Sequence, residues 1–318
     1  MTSSLGSTPP LSTRNLSVGY SKASLVLQDV TVAVPPGKVT AIIGSNGCGK
    51  STLLKAMAGL ISPHSGTVEL GGKAIDQWPR RQVAQRLAYL PQSATVPDGV
   101  TVRDLVARGR HPHQSWLRQW SPTDDALVDQ AMHLAGCADL ADRPVTQLSG
   151  GQRQRAWLGL VLAQGAETLL LDEPTTFLDL ATALEVLRTV RGLAESTDHP
   201  RTVVMVLHDI NLAARFADYM VCLGRAETEQ EGSRARTGGN RTEVAESKAA
   251  AENVLPATRL NPPCGARAPH PLTQSPSKTL AEGTPAEVIT SELLQRAFCL
   301  NARVIDDPVT GGPLVVPE

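Results

Sequence analysis

The sequence predicts an α/β fold in which helices cover both faces of a mostly parallel β-sheet. Two runs, Thr168–Asp172 and Thr202–Leu207, are short and almost wholly apolar, as expected for strands buried on both faces. Helical segments at Leu180–Leu193 and Asp209–Ala217 follow them, and this alternation is typical of parallel sheets. A third apolar run, Val39–Ile43, leads into a glycine-rich loop. These observations together indicate an α/β sandwich organised around that loop.

Further strands are predicted before and after this core. Apolar residues alternate with polar ones or form runs in Arg14–Tyr20 and Leu25–Val34, and Gly66–Gly72 is a short strand closed by a glycine turn. Leu87–Leu90 is a strand that ends at a proline, and Tyr219–Leu223 is a strand that follows a predicted helix. The sheet therefore has more strands than its parallel core alone.

The middle of the chain is predicted to be helical. In Thr101–Arg143, apolar residues such as Leu105, Val106 and Met132 recur at helical spacings. A further helix is predicted over Gln152–Ala163. We therefore expect a helical subdomain over about residues 95–165.

The glycine-rich loop has the pattern G-x-x-x-x-G-K-S between a predicted strand and a predicted helix, which is the context that this motif requires. Its residues are Gly44, Ser45, Asn46, Gly47, Cys48, Gly49, Lys50 and Ser51, and Thr52 follows. The glycines let the backbone curl so that successive N–H groups face a phosphate chain. Lys50 is expected to reach the β- and γ-phosphates, and the Ser51 hydroxyl is expected to hold Mg²⁺. The motif predicts a nucleotide-binding site.

Composition excludes several classes of function. The chain has 30 Lys and Arg against 31 Asp and Glu, so no global field attracts nucleic acid or anionic lipid. Only 3% of the residues are aromatic, which argues against a base-stacking surface. No apolar run is long enough to span a membrane, so any membrane role is expected to need a partner.

The five cysteines are scattered, odd in number and without a C-x-x-C pair, which fits a reducing compartment and no structural zinc. Cys48 lies inside the phosphate loop, where a thiol is tolerated but is expected to be open to alkylation.

Two further motifs carry groups suited to phosphate chemistry. Ser149, Gly150, Gly151 and Gln152 begin a predicted helix, where a hydroxyl and glycine amides form an anion site. Asp172 and Glu173 end a buried strand. There Asp172 can steady the magnesium shell and Glu173 can accept a proton from the attacking water.

Four more residues complete the set. His208 follows the next strand and can hydrogen-bond the γ-phosphate, whereas Gln92 ends its own strand and can reach both magnesium and water. Asp179 lies shortly after Glu173. Tyr20 is predicted to stack on the adenine, the alternative being an aromatic residue packed at a strand end. Each group alone is more often structural than catalytic, but their order and spacing together favour ATP hydrolysis.

The sequence resembles the ATP-binding subunits of ABC transporters. Walker A matches Gly44–Ser51, the Q-loop Gln92, the signature Leu148–Gln152, Walker B Leu169–Asp172, the D-loop Asp179 and the switch His208. More narrowly, it resembles bacterial iron–siderophore importers of the ferric-enterobactin type. The stretches that carry the narrower resemblance are Ala41–Lys50, Val106–Gln114, Leu148–Trp157, Ile305–Val309 and Pro313–Pro317.

The resemblance implies a head-to-tail homodimer in which each ATP lies between Gly44–Thr52 of one copy and Ser149–Gln152 of the other. Lys50, Gln152 and His208 grip the γ-phosphate in this arrangement, and Glu173 is the general base. It further implies Mg²⁺ held by Ser51, Gln92 and Asp172, dimer communication through Asp179, and an N-terminal antiparallel β-subdomain.

The resemblance also implies partners and a location. Two membrane permease subunits would be driven directly and a siderophore-binding protein indirectly, at the cytoplasmic face of the bacterial inner membrane, with no nucleic acid. Importers of haem, cobalamin or another metal complex keep the same catalytic residues and remain open as alternatives, as does a soluble ABC ATPase outside transport.

The ends of the chain and one internal stretch depart from the family pattern. Residues 1–12 are expected to form a disordered polar tail that is not a signal peptide, ahead of a single ATPase domain over 13–318. Residues 226–280 have few large apolar residues and no periodicity, so a disordered insertion is expected there. A C-terminal extension over 281–318 begins with a helical segment at Ala286–Ala297.

The predicted insertion stands where the family has a short hairpin, which is therefore expected to lack its middle. A genuine insertion, a regulatory contact and a stretch of altered reading frame all remain open as explanations. We assign no function to these residues.

Overall fold

The computed structural model describes residues 8–21, 24–92, 98–114, 120–225 and 275–318. The strands in these residues are β1 (Leu11–Ser21), β2 (Ser24–Val34), β3 (Val39–Gly44), β4 (Ser65–Leu70), β5 (Lys73–Ala74), β6 (Leu87–Leu90), β7 (Thr168–Asp172), β8 (Thr202–Val206), β9 (Tyr219–Arg225), β10 (Ser277–Gly283), β11 (Ala302–Asp306) and β12 (Pro313–Pro317). The helices are α1 (Lys50–Met57), α2 (Arg80–Arg86), α3 (Val102–Ala107), α4 (Pro122–Leu134), α5 (Gly150–Ala163), α6 (Leu180–Ala194), α7 (Ile210–Phe216), α8 (Pro285–Val288) and α9 (Ser291–Phe298).

Ten of these strands form one sheet in the order β5-β4-β1-β2-β10-β9-β3-β8-β7-β6. The five strands from β9 to β6 are parallel, which confirms the predicted parallel core. Side chains along β8 alternate between two apolar clusters, one containing Val203 and Met205 and the other Val204 and Val206. Both faces of the core sheet are therefore buried, as the apolar strand sequences predict.

The antiparallel part of the sheet consists of β2, β1, β4 and β5, which pair in that order. It is continuous with the parallel core, because β10 lies between β2 and β9. This strand pairs antiparallel with β9 and makes one parallel pairing with β2, between Ser277 and Leu27. The predicted β-subdomain is thus an extension of the central sheet.

Two predicted boundaries are corrected by strand pairing. The predicted tail over 1–12 ends too late, since β1 begins at the buried Leu11, which is paired with both Val34 and Leu70. The predicted insertion over 226–280 also ends too late, since β10 begins at Ser277. The physical reason is the same at both sites, because neighbouring strands supply hydrogen bonds that local composition does not reveal. The rest of the insertion, residues 226–274, lies outside the described residues.

The hairpin expected to lack its middle has both of its strands. Pairing between β9 and β10 runs from Arg225 opposite Ser277 to Met220 opposite Gly283. Leu280 of β10 packs on Gly224 of β9, where an added Cβ would lie 2.3 Å from the Leu280 side chain. Both arms of the hairpin are therefore integral to the sheet.

We expect that replacement of residues 226–274 by a four-residue turn leaves the melting temperature no more than about 3 °C below that of the natural protein, because paired strands need only a short connection and a shorter loop closes at lower entropic cost. The matched control is deletion of 226–280 with the same turn, which also removes the first half of β10. That control should lose several times more stability. Equal losses in thermal unfolding would show that residues 226–274 themselves stabilise the fold.

The helical subdomain is confirmed as α3, α4 and α5, joined in part by a 3₁₀ helix over Arg108–His113. A buried ion pair lies at its centre, where Arg110 donates from Nε to Asp124 Oδ1 at 2.9 Å and from Nη1 to the Ala163 carbonyl at 2.9 Å. Since an unpaired buried charge is costly, this pair holds α4, α5 and the 3₁₀ helix in one arrangement.

The C-terminal helical segment predicted over Ala286–Ala297 is two short helices, α8 and α9. Thr290 separates them in an extended conformation, and its side chain caps α9 by accepting from the Leu293 amide at 3.1 Å. The hairpin β11–β12 follows and is held by Asn211 of α7, which exchanges two hydrogen bonds with the Val315 backbone. In the part of the chain that the structure describes, no helix is long and apolar enough to cross a membrane.

Candidate nucleotide-binding site

The phosphate loop connects the end of β3 to the start of α1, and its backbone requires glycine at specific positions. Gly44, Gly47 and Gly49 have φ values of 149°, 75° and 92°, which disfavour residues with a Cβ. A Cβ on Gly44 would lie 2.3 Å from the Leu223 carbonyl oxygen, whereas one on Gly47 would have no described atom within 4 Å. The loop is thus pinned against β9 at one end and open in its middle.

This contrast predicts different costs for two alanine substitutions. Gly44→Ala adds a clash to an unfavourable φ and should destabilise the protein by about 3 kcal/mol. Gly47→Ala introduces only the unfavourable φ, without a clash, and should lower the free energy of unfolding by about 1–2 kcal/mol. Urea unfolding of the two variants measures the difference, and equal values would contradict the close contact with β9.

Lys50 begins α1, and its ammonium group lies under the loop. The side chain is buried, with Nζ donating to the Gly44 carbonyl at 2.9 Å and to the Ser45 carbonyl at 3.1 Å. A buried ammonium needs such acceptors, so the loop carbonyls keep the charge at the position where phosphate oxygens can approach it.

The loop opens into a cleft of about 480 Å³ that also receives residues from four distant parts of the chain. The described residues lining it are Tyr20, Val26, Asn46, Gly47, Gly49, Lys50, Ser51, Thr52, Gln92, Glu173 and His208. The structure therefore brings most of the predicted site residues together. The Tyr20 ring is 68% exposed at the rim, and its hydroxyl lies 3.3 Å from Thr52 Oγ1. An exposed ring of this kind offers a stacking surface.

Asp172 lies at the end of β7 with both carboxylate oxygens occupied. Ser51 Oγ donates to Asp172 Oδ1 at 2.8 Å, and the Tyr89 hydroxyl donates to Asp172 Oδ2 at 3.3 Å. Burial raises the pKa of the Asp172 carboxyl above its usual value, although both hydrogen bonds act in the opposite direction.

The oxygen groups of Ser51 and Asp172 fit a magnesium ion. This ion prefers hard oxygen ligands and typically takes one or two from the protein, the others coming from phosphates and water. The described residues contain no group of three or more His, Cys, Asp or Glu that could hold a metal by themselves. Phosphate oxygens of a nucleotide, together with water, would suit the remaining positions around such an ion.

Glu173 follows directly and is held by three side chains. Its Oε2 accepts from Gln92 Nε2 at 2.6 Å and from Thr176 Oγ1 at 3.0 Å, and its Oε1 lies 2.5 Å from His208 Nε2. The Glu173 backbone has φ 54°, a left-handed conformation that non-glycine residues rarely adopt. Backbone strain and side-chain contacts together fix the carboxylate at the cleft, where it can accept a proton from water.

Sequence reasoning missed three contributors to this region, namely Val26, Tyr89 and Thr176. Thr176 is three residues after Glu173, and this spacing suits a local contact between its hydroxyl and the Glu173 carboxylate. The contact was therefore predictable from the sequence. Tyr89 carried no such signal, because its contact with Asp172 depends on the pairing of β6 with β7. Val26 likewise reaches the cleft only through the pairing of β2 in the sheet.

The signature residues are not among the described residues that line the cleft. Ser149 caps α5, and a capping box joins it to Gln152, with Ser149 Oγ accepting from the Gln152 amide at 3.3 Å and the Ser149 amide donating to Gln152 Oε1 at 3.1 Å. Ser149 and Gly150 are exposed. Asp179 is also exposed and caps α6 by accepting from the Thr182 amide at 3.0 Å. Both elements are therefore exposed to solvent and contribute no described residue to the lining of the cleft.

Cys48 of the phosphate loop is buried, with 2% of its surface exposed. Burial raises the pKa of its thiol, which lowers the population of the reactive thiolate. The expectation that Cys48 is open to alkylation is therefore wrong for this conformation.

Comparison with known proteins identifies clear relatives. A model of the ABC transporter family matches residues 27–176. The "Probable siderophore transport system ATP-binding protein YusV" of Bacillus subtilis is 40% identical over 97% of this chain and 92% of its own length. The ferric enterobactin transport ATP-binding protein FepC of Escherichia coli is 39% identical over 95% of this chain and 92% of its own. A solved structure described as an inward-facing metal-chelate type ABC transporter covers 98% of both chains, with 25% identity and a TM-score of 0.68.

Proposed function

Because the chain belongs to the family of ATP-binding proteins of ABC transporters, we propose that it is the ATP-hydrolysing subunit of a bacterial iron–siderophore importer. Members of this family are ATPases that are coupled to transport. The observation that carries the substrate proposal is the similarity to the siderophore and ferric enterobactin transport proteins, which extends over more than nine-tenths of the chain. The cleft at the phosphate loop supports the ATPase proposal.

ATP binding is proposed to use the loop Gly44–Thr52 together with Tyr20. The loop amides and Lys50 would hold the phosphates, and the exposed Tyr20 ring would stack on the adenine. Ser51, Asp172 and Gln92 would hold the Mg²⁺ that neutralises phosphate charge. The direct contact between Ser51 and Asp172 supports this assignment, because the two oxygens already lie within reach of one ion.

Hydrolysis is proposed to use Glu173 as general base, with Gln92 and His208 beside it. Gln92 and His208 each contact the Glu173 carboxylate at the cleft, so a water placed near Glu173 would be oriented by the same groups that fix the carboxylate. His208 would sense the γ-phosphate through a hydrogen bond, and losing that phosphate would release it.

We further propose that the active form is a head-to-tail homodimer. Ser149 and Gly150 are exposed and do not line the cleft of their own chain, which supports a site completed by Ser149–Gln152 of a second copy. The amides at the start of α5 suit an anion, and Asp179 lies on a neighbouring exposed turn. ATP contacts made only in the closed dimer would favour closure, and hydrolysis would remove them.

Membrane partners follow from the proposed transport role. Two permease subunits would receive the movement, and a siderophore-binding protein would deliver cargo to them. The subunit would then lie at the cytoplasmic face of the inner membrane, peripherally attached.

The experiment that tests the proposal measures uptake of labelled iron–siderophore by cells that carry either the natural protein or Lys50→Ala. Labelled cobalamin and haem are measured in parallel. We expect iron uptake alone to collapse in the variant. Loss of cobalamin or haem uptake instead would be consistent with the proposed ATPase activity but would contradict the proposed siderophore substrate. Unchanged uptake of all three compounds would contradict the transport role.

A further inference from the structure

We propose that Tyr89 is a positioning residue that orients the Asp172 carboxylate toward the magnesium ion of the bound nucleotide. The inference rests on the proposed function, since it takes Asp172 as a holder of that ion. Tyr89 itself touches neither nucleotide nor metal in this proposal, and it acts only through Asp172.

Each carboxylate oxygen of Asp172 accepts a hydrogen bond from a different side chain. Oδ1 receives the Ser51 hydroxyl at 2.8 Å, on the side of the phosphate loop, and Oδ2 receives the Tyr89 hydroxyl at 3.3 Å. Asp172 is 1% exposed, so water has little access to replace either donor. Because Mg²⁺ would take Ser51 Oγ as a ligand, Tyr89 would be the remaining side-chain donor to this carboxylate among the described residues, and its hydrogen bond would oppose rotation of the carboxylate.

The position of Tyr89 depends on strand pairing and on packing of its ring. Tyr89 lies opposite Leu170 in the parallel register of β6 and β7, so its hydroxyl reaches two residues further along β7 to Asp172. The ring packs against the apolar cluster that contains Leu170 and Val204. It also lines a cavity of about 750 Å³ together with Trp78 and Val83.

These contacts fix the ring independently of the carboxylate. A hydroxyl whose direction is set by packing can hold a flexible acceptor in one orientation, as the outer partners of metal ligands do. Removing the hydroxyl should therefore weaken metal binding without removing any ligand. Since residues of this kind typically change metal affinity by about 10- to 100-fold, and the Tyr89 hydrogen bond is long at 3.3 Å, we expect about tenfold.

The test compares the full-length natural protein with Tyr89→Phe and with Tyr219→Phe as matched control. Tyr219 belongs to β9 of the same sheet and packs against the same apolar cluster, so its substitution removes a comparable hydroxyl away from Asp172. Mn²⁺ serves as a paramagnetic probe of the magnesium position. Its dissociation constant is measured by electron paramagnetic resonance in the presence of a non-hydrolysable ATP analogue.

We expect the Mn²⁺ dissociation constant to rise about tenfold in Tyr89→Phe and to stay within about twofold in Tyr219→Phe. The Mg²⁺ concentration for half-maximal ATP hydrolysis should rise in parallel, whereas kcat at saturating Mg²⁺ should change much less. Nucleotide binding in the presence of EDTA should be the same in all three proteins, which also shows that the variants are folded.

Unchanged Mn²⁺ affinity in Tyr89→Phe would overturn the inference, whatever the hydrolysis rate. The proposed function would instead be overturned if the natural protein binds Mn²⁺ and the nucleotide analogue but hydrolyses no ATP. In that case, weaker Mn²⁺ binding in Tyr89→Phe alone would still support the inference about Tyr89.

Discussion

Replacing Glu173 with glutamine is expected to lower kcat for ATP hydrolysis by about 10²- to 10⁴-fold, the usual contribution of a general base. Glutamine keeps the shape of the side chain and can still accept from Thr176, but its neutral amide cannot take a proton from water. ATP binding should persist, because the side-chain hydrogen bonds described for Glu173 go to Gln92, Thr176 and His208 and not to the phosphate loop. Phosphate release under saturating ATP measures the loss, and equilibrium binding of ATP measures what remains.

The control for this prediction is Glu195→Gln. Glu195 is a surface glutamate at the C-cap position of α6, and its carboxylate pairs with Arg191 of the same helix. Its substitution removes one carboxylate of the same kind and should leave kcat within about twofold, since exposed ion pairs contribute little. If Glu173→Gln keeps more than a tenth of kcat, another group is the base.

Replacing Lys50 with alanine is expected to lower kcat/KM for ATP by at least about 10²-fold, comparable with loss of a charged phosphate donor in other enzymes. The substitution removes the ammonium from beneath the loop, together with its hydrogen bonds to the Gly44 and Ser45 carbonyls. Loss of phosphate attraction and loss of loop order then act in the same direction. Titration with a fluorescent ATP analogue separates weaker binding from slower hydrolysis.

Lys38→Ala is the matched control for Lys50→Ala. Lys38 lies just before β3, with its side chain 56% exposed and 3.8 Å from Asp218, so its substitution removes the same charge at the end of β3 opposite the phosphate loop. It should change kcat/KM by less than about twofold. Equal effects of the two substitutions would mean that Lys50 acts through general electrostatics and not through the phosphate site.

Much of the fold was predictable because the signals are local. The apolar strands of the core, the glycine loop before α1 and the helical periodicity between residues 101 and 163 each reflect a physical rule that acts within a short segment. The three glycines with positive φ in the loop are an example, since their pattern alone specifies the turn. The boundaries at Leu11 and Ser277 were not predictable in this way, because both are set by pairing with distant strands.

By itself, the sequence determined which residue types the site would contain, since Lys50, Ser51, Asp172, Glu173 and His208 are recognisable by type and order, and it predicted their chemistry. Only the tertiary structure decided which side chains support them. The pairing of β6 with β7 brings Tyr89 to Asp172, and the same edge of the sheet brings Gln92 to Glu173. Such contacts depend on strand order, which no local pattern encodes, because the neighbours of a strand are chosen by the packing of the whole sheet.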